Sequence, residues 1–150
     1  MPRSSQQDFR SHCPVNYGLE IFGDKWSLLI VRDIAFSGKK TYGEFLKSEE
    51  GFATNLLASR LAFLEEQGVL RKAPHPADKR KDCYSLTDKG LDLVPVLLDI
   101  VLWSAKHDPK SYARARKEFL ARLRKNSLKV SAELKELVRG GGCLFPEPDA

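Results

Sequence analysis

Thr54-Asn55-Leu56-Leu57-Ala58-Ser59-Arg60-Leu61-Ala62-Phe63-Leu64-Glu65-Glu66-Gln67-Gly68, followed at once by Val69-Leu70-Arg71-Lys72, is the stretch on which the reading of the fold turns. Leu57, Leu61 and Leu64 recur at helical spacing, while Thr54, Asn55, Ala58, Ser59 and Ala62 share the opposite side, so one face can be buried and the other left open. The open side is short, small and hydrogen-bonding. Gly68 stops the helix, because glycine accepts the positive φ of a helix C-terminus, and the apolar-basic run after it reads as a strand. A helix that presents small polar groups and leads directly into a basic hairpin points to a protein that reads a groove.

Upstream, Thr41-Tyr42-Gly43-Glu44 has capping-box spacing and starts a short helix through Lys47, which Glu49-Glu50-Gly51 ends. Two short helices joined by a tight turn with glycine are helix-turn-helix grammar. Gly38-Lys39-Lys40 forms the preceding turn. Before it, Asp24 is the expected N-cap of a central helix over 25–35, rich in Trp26, Leu28, Leu29, Ile30, Val31 and Ile34. Cys13-Pro14 opens the first helix, which carries Val15, Leu19 and Phe22 on one side and ends at Gly23. Residues 1–12 lack periodicity and read as a flexible arm.

Downstream, 69–73 and 82–86 are expected strands, and the proline-broken segment 74–81 is a long hairpin tip carrying Lys79, Arg80 and Lys81. Thr87-Asp88 caps a helix over 89–107, kinked by Pro95. Its ten large apolar residues, from Leu91 to Trp103, exceed what one core face covers, so a second copy of the chain is the expected cover for the rest. After Pro109 a single further helical pattern runs over 110–139, and 143–150 read as a disordered tail.

The chain is 150 residues long, 42% hydrophobic and 30% charged, which suits one domain with a proper core. No apolar run has membrane-spanning length and the N-terminal residues lack a signal-peptide core, so the expectation is a cytoplasmic protein with no membrane partner. The net charge of +5 is unevenly placed. Residues 1–105 hold 14 basic and 14 acidic side chains, whereas 106–139 hold 11 basic and 4 acidic. The excess belongs to the C-terminal extension, so the isoelectric point alone does not locate a nucleic-acid surface. Cys13, Cys83 and Cys143 are odd in number and far apart, which argues against a disulfide framework. His12, Cys13, His75 and Cys83 lack tight ligand spacing, and no metal or other cofactor is expected. No nucleophile elbow, phosphate-cradling loop or carboxylate pair is present, so the chain is not read as an enzyme.

Cys13-Pro14-Val15, Gly23-Asp24-Lys25-Trp26, Arg60-Leu61 with Leu64-Glu65-Glu66-Gln67-Gly68-Val69-Leu70, Tyr84-Ser85-Leu86-Thr87 and Trp103 closely resemble the HxlR-type, MarR-like family of bacterial transcriptional regulators. The resemblance covers about 12–107. It implies a mainly α winged helix-turn-helix with a small β-hairpin, dimerising through its first and late helices. The organisation that follows is an arm (1–12), a winged-helix DNA-binding domain (13–107), a basic helical extension (108–142) and the tail (143–150). Ala53 stands where family members often carry a small hydroxyl residue, which makes Thr54 the expected N-cap. The extension is longer than the family pattern requires.

Double-stranded DNA is the expected partner, bound by a homodimer acting as a repressor on a palindromic operator. Asn55 and Ser59, with Thr54, lie near the helix N-terminus and can bond base edges, while Ala58 allows close approach or contact with a thymine methyl. Arg60 is read as touching phosphate or bracing the hairpin. Lys79, Arg80 and Lys81 suit backbone or minor-groove contact, and Lys40 and Thr41 the flanking phosphate. Cys13 at a helix N-terminus is a candidate redox sensor, with an oxidant or small-molecule effector as partner, or else a small packing residue at the dimer interface. The alternative to DNA reading is a dimeric winged-helix interaction module without sequence readout.

Overall fold

The computed structural model describes residues 8–146. The helix α1 (Pro14–Phe22) begins with proline in its first turn, where no intrahelical N–H is lost, and buries only Ile21. Residues 8–12, within the expected flexible arm, fold back on it. Phe9 packs edge-on against Tyr17 at 5.4 Å, and Arg10 donates to Glu20 at 2.5 Å. Residues 1–7 of that arm lie outside the described residues.

The central helix α2 (Ser27–Ser37) starts two residues later than expected, with Trp26 rather than Asp24 as its N-cap, and Asp24 holds the turn that leads into it. Its carboxylate accepts from the amides of Trp26 and Ser27 at 3.0 and 2.9 Å and from the Ser27 hydroxyl at 2.6 Å. The helix ends at Gly38, whose φ of 70° is open to glycine and costly for other residues. The capping box of Thr41 and Glu44 holds α3 (Tyr42–Leu46) as expected.

The decisive helix is α4 (Thr54–Glu66), whose N-cap is Ala53 rather than Thr54. Phe52 and Leu57, on either side of the first turn, are both buried, the placement of a hydrophobic staple. Burial therefore sets the entry of the chain, and the capping side chain is dispensable. At the other end the Val69 amide donates to Leu64 O and the Gly68 amide to Glu65 O, with Gly68 at φ 75°, which is a Schellman motif.

The strands β1 (Leu70–Pro74) and β2 (Asp82–Leu86) pair antiparallel with Leu70 opposite Leu86 and Lys72 opposite Tyr84. Lys40 O accepts from the Tyr84 amide at 2.7 Å, so the segment before α3 runs alongside β2.

The expected kinked helix over 89–107 is two elements, α5 (Asp88–Leu91) and α6 (Val94–His107), separated by a turn. Pro95 lacks the N–H that would continue the ladder, so the chain restarts with proline in a first turn instead of bending through it. The single pattern expected over 110–139 is three helices, α7 (Pro109–Arg114), α8 (Lys117–Lys125) and α9 (Ser127–Arg139). Asp108 caps α7 and Asn126 caps α9, side chains that compete with a continuous helix for backbone amides.

The cover for the apolar surplus is also partly corrected. Phe119, Leu123, Val130, Leu134 and Val138 join the same apolar cluster as Ile30, Leu97 and Leu98, so the extension packs on its own protomer. The tail expected to be disordered is ordered as far as 146. Leu144 and Phe145 donate to the carbonyls of Ala35 and Phe36 at 3.0 and 2.7 Å, pairing oxygens that the end of α2 leaves without helical partners. Residues 147–150 lie outside the described residues. Among the described residues, no helix is long and apolar enough to cross a membrane.

Candidate nucleic-acid interface

Burial of Leu57, Leu61 and Leu64 turns the other face of α4 outward, and Thr54, Asn55, Ala58, Ser59 and Ala62 are all exposed. The first two turns are free of charge on this face. Glu65 and Glu66 occupy the last turn, so a polyanion meets this helix best at its N-terminal half. Between α4 and the hairpin runs a groove of about 410 Å³ lined by Tyr42, Ala58, Ala62, Glu65, Lys72 and Tyr84. The Tyr42 hydroxyl donates to Thr54 O at 3.1 Å and ties α3 to the start of α4.

The hairpin tip is organised by Asp78. Its carboxylate accepts from the Arg80 amide and guanidinium, each at 3.1 Å, and Arg80 holds it below the ordinary carboxylate range. Lys79, Arg80 and Lys81 are all exposed. Three further expected contact residues, Arg60, Lys40 and Thr41, have partners within the chain. Arg60 lies 4.6 Å from the Phe63 ring centroid and 3.7 Å from Asp24, contacts that tie α4 to the entry of α2. Lys40 is exposed, but its ammonium lies beside Gly141 at the end of the extension, and half-buried Thr41 spends its hydroxyl on the capping box.

Sequence reasoning missed a buried ion network that ties the turn between α3 and α4 to α2. Asp33, 1% exposed, accepts from Arg32 at 2.7 Å and from the Ser48 hydroxyl, and lies 3.7 Å from Lys39. Lys39 donates to Ser48 at 2.9 Å. Arg32 also grips Glu50, pulling the Glu50 carboxyl down to about 2. The network fastens the turn over 47–51 to α2. Its only trace in the sequence is Arg32-Asp33 inside an otherwise apolar helix.

Cys13 is exposed at the N-cap of α1. Its thiol makes no full capping hydrogen bond, yet the amides of Asn16 and then Val15 lower its pKa from the ordinary value. A mechanical path leads from this helix to α4. Lys89 donates to the Tyr17 hydroxyl at 3.0 Å and to the Gln67 carbonyl at 2.8 Å, bridging α1 and the end of α4. On the outer side of α1 and α6, Val15, Leu19, Ile100 and Trp103 are 70, 50, 43 and 67% exposed.

Residues 21–112 match the model of a family described as HxlR-like helix-turn-helix. The chain is 33% identical over 86 residues to the uncharacterised HTH-type transcriptional regulator sll1512 of Synechocystis, covering 57% of this chain and 63% of that protein. The chain thus spans under two thirds of that relative. Among solved structures, PA1607, a provisionally assigned transcription factor, is 43% identical with a TM-score of 0.60, over 66% of this chain and 68% of that one. The redox regulator HypR in its oxidised form is 28% identical with a TM-score of 0.54, over 63% of this chain and 97% of that one.

Proposed function

The chain belongs to the HxlR-like helix-turn-helix family, whose members are transcriptional regulators, and from that premise we propose that it represses transcription in the cytoplasm by binding a palindromic operator as a homodimer. The observation that carries this reading is the open face of α4. It offers small hydrogen-bonding groups at its N-terminal half and stands beside an exposed basic hairpin. Asn55 and Ser59, supported by Thr54 and Ala58, read base edges in the major groove. Lys79, Arg80 and Lys81 supply backbone affinity that is lost with salt. Arg60 and Thr41 position the reader, and Lys40 contributes charge at the flank.

The exposed apolar strip of Val15, Leu19, Ile100 and Trp103 fits a second copy, which sets the distance between two α4 helices. Cys13 sits at the N-terminus of that strip with a lowered thiol pKa. Its oxidation shifts α1, and Tyr17, Lys89 and Gln67 carry the shift to α4. HypR, a redox regulator, supports this reading by its likeness.

One binding assay tests the proposal, with operator sequences selected from random DNA and titrated at several salt concentrations. Asn55→Ala is expected to relax sequence preference, at about 1–3 kcal/mol for the base it reads. Arg80→Ala is expected to weaken all sequences alike and to reduce the salt slope by about one. In the same assay, mild oxidant should change the affinity of the unaltered protein and spare Cys13→Ser. Equal affinity for selected and random DNA at physiological salt would sink the recognition reading.

A further inference from the structure

Behind the helix-turn-helix lies a second concavity, of about 500 Å³, between α2, α6, α7, α8 and the returning tail. Its volume is in the range of small-molecule sites. The floor is apolar: Phe36, Val101, Phe119 and Phe145 face it. Phe145 stands edge-on to Phe119 at 5.6 Å and to Phe36 at 6.2 Å, and it is held there by the backbone bond from its amide to Phe36 O. The tail therefore builds one wall of the cavity.

The rim is cationic. The Arg116 guanidinium lies 4.2 Å from the Phe145 ring centroid, and among the described residues no carboxylate pairs with it. Arg114 is on the same rim and reaches Glu49 at 2.8 Å, a pair that is largely exposed and therefore weak. An aromatic floor under one guanidinium that stacks on Phe145 without a carboxylate partner and one loosely paired guanidinium matches an apolar body with a single anionic head.

We propose that this cavity binds an amphipathic organic anion, with its apolar body against Phe36, Phe119 and Phe145 and its carboxylate between Arg116 and Arg114. The carboxylate competes with Glu49 for Arg114. Glu49 neighbours Glu50, which Arg32 fastens to α2, so occupancy bears on the turn between α3 and α4. Phe119 and Phe145 belong to the extension beyond the residues that match the family, so the site is a property of this chain's C-terminal part.

Calorimetry of the full chain without DNA tests the site whether or not the DNA reading holds. The probe is 2-naphthoate, with 2-naphthylmethanol as its neutral isostere. Naphthoate is expected to bind saturably with a Kd below ~1 mM. The neutral alcohol and the surface variant Arg116→Gln are each expected to weaken binding about tenfold, the variant with unchanged thermal unfolding. Phe145→Ala should weaken both probes, and Lys129→Gln, remote from the cavity, neither. Absence of saturable naphthoate binding, equal affinity of the alcohol, or unchanged affinity in Arg116→Gln would overturn the proposal.

Discussion

At Gly90 a single methyl group has nowhere to go. A Cβ there would fall inside contact distance of the Val69 carbonyl oxygen and within 3.1 Å of Leu86, because α5 crosses the base of the hairpin at this residue. The backbone oxygen cannot rotate away as a side chain could. Gly90→Ala is therefore expected to destabilise the fold by about 3 kcal/mol, read as a shift in the chemical denaturation midpoint. Arg60 makes a different point at the same scale. Its position on a helix with an open polar face invites a phosphate contact, yet Phe63 one turn on and Asp24 across the core give its guanidinium a stack and a charge within the protomer.

At the scale of elements, α3 has only five residues, and the turn that joins it to α4 is fastened to α2 by the ion network as well as by apolar packing. Burial disfavours the charged form of Arg32, but Glu50 and Asp33 more than offset this and raise its pKa. Removing one partner of such a group is costlier than the pair's net worth, because the other charge is left desolvated. The pH dependence follows from Glu50. Its carboxyl lies at about 2 in the folded chain against an ordinary value of 4.5. Its contribution is fully present above the ordinary value and is lost as pH falls through that window towards the folded value. After screening by solvent, about 1–2 kcal/mol of stability should disappear over that window, and Glu50→Gln should flatten this part of the curve. Equilibrium unfolding at stepped pH measures both. The split between α5 and α6 belongs to this scale too: the apolar pattern continues across 92–93, while Pro95 prevents the backbone from doing so.

For the whole molecule, the extension is part of the core. Phe119, Leu123, Val130, Leu134 and Val138 are all at or below 9% exposed within the single protomer. At roughly 1.5–3 kcal/mol per buried side chain, their loss is comparable to the entire stability of a domain. Truncation after Asp108 is therefore expected to abolish cooperative thermal unfolding and to cause aggregation, as followed by circular dichroism and light scattering. A truncated chain that melted like the full one would show the extension to be merely appended. With that surface covered in cis, Val15, Leu19, Ile100 and Trp103 remain exposed on α1 and α6, as do Tyr17, Tyr112, Leu128 and Leu137 elsewhere on the described residues.

The local order of the chain was legible in its residues: the capping box at Thr41, the buried Leu57, Leu61 and Leu64, the open Asn55 and Ser59, Gly68 with its positive φ, and the hairpin with its cations. Each rests on interactions within a few positions, and periodicity or backbone sterics determine them. What a buried face packs against is a different quantity. Amphipathic spacing shows that Phe119 and Leu134 must leave water and is silent on whether the partner is the same protomer or another. Only tertiary structure decided that, along with the inward turn of Arg60, the Arg32–Asp33–Glu50 network and the return of Phe145 onto Phe36, because each joins residues far apart in the chain through contacts that no local pattern encodes.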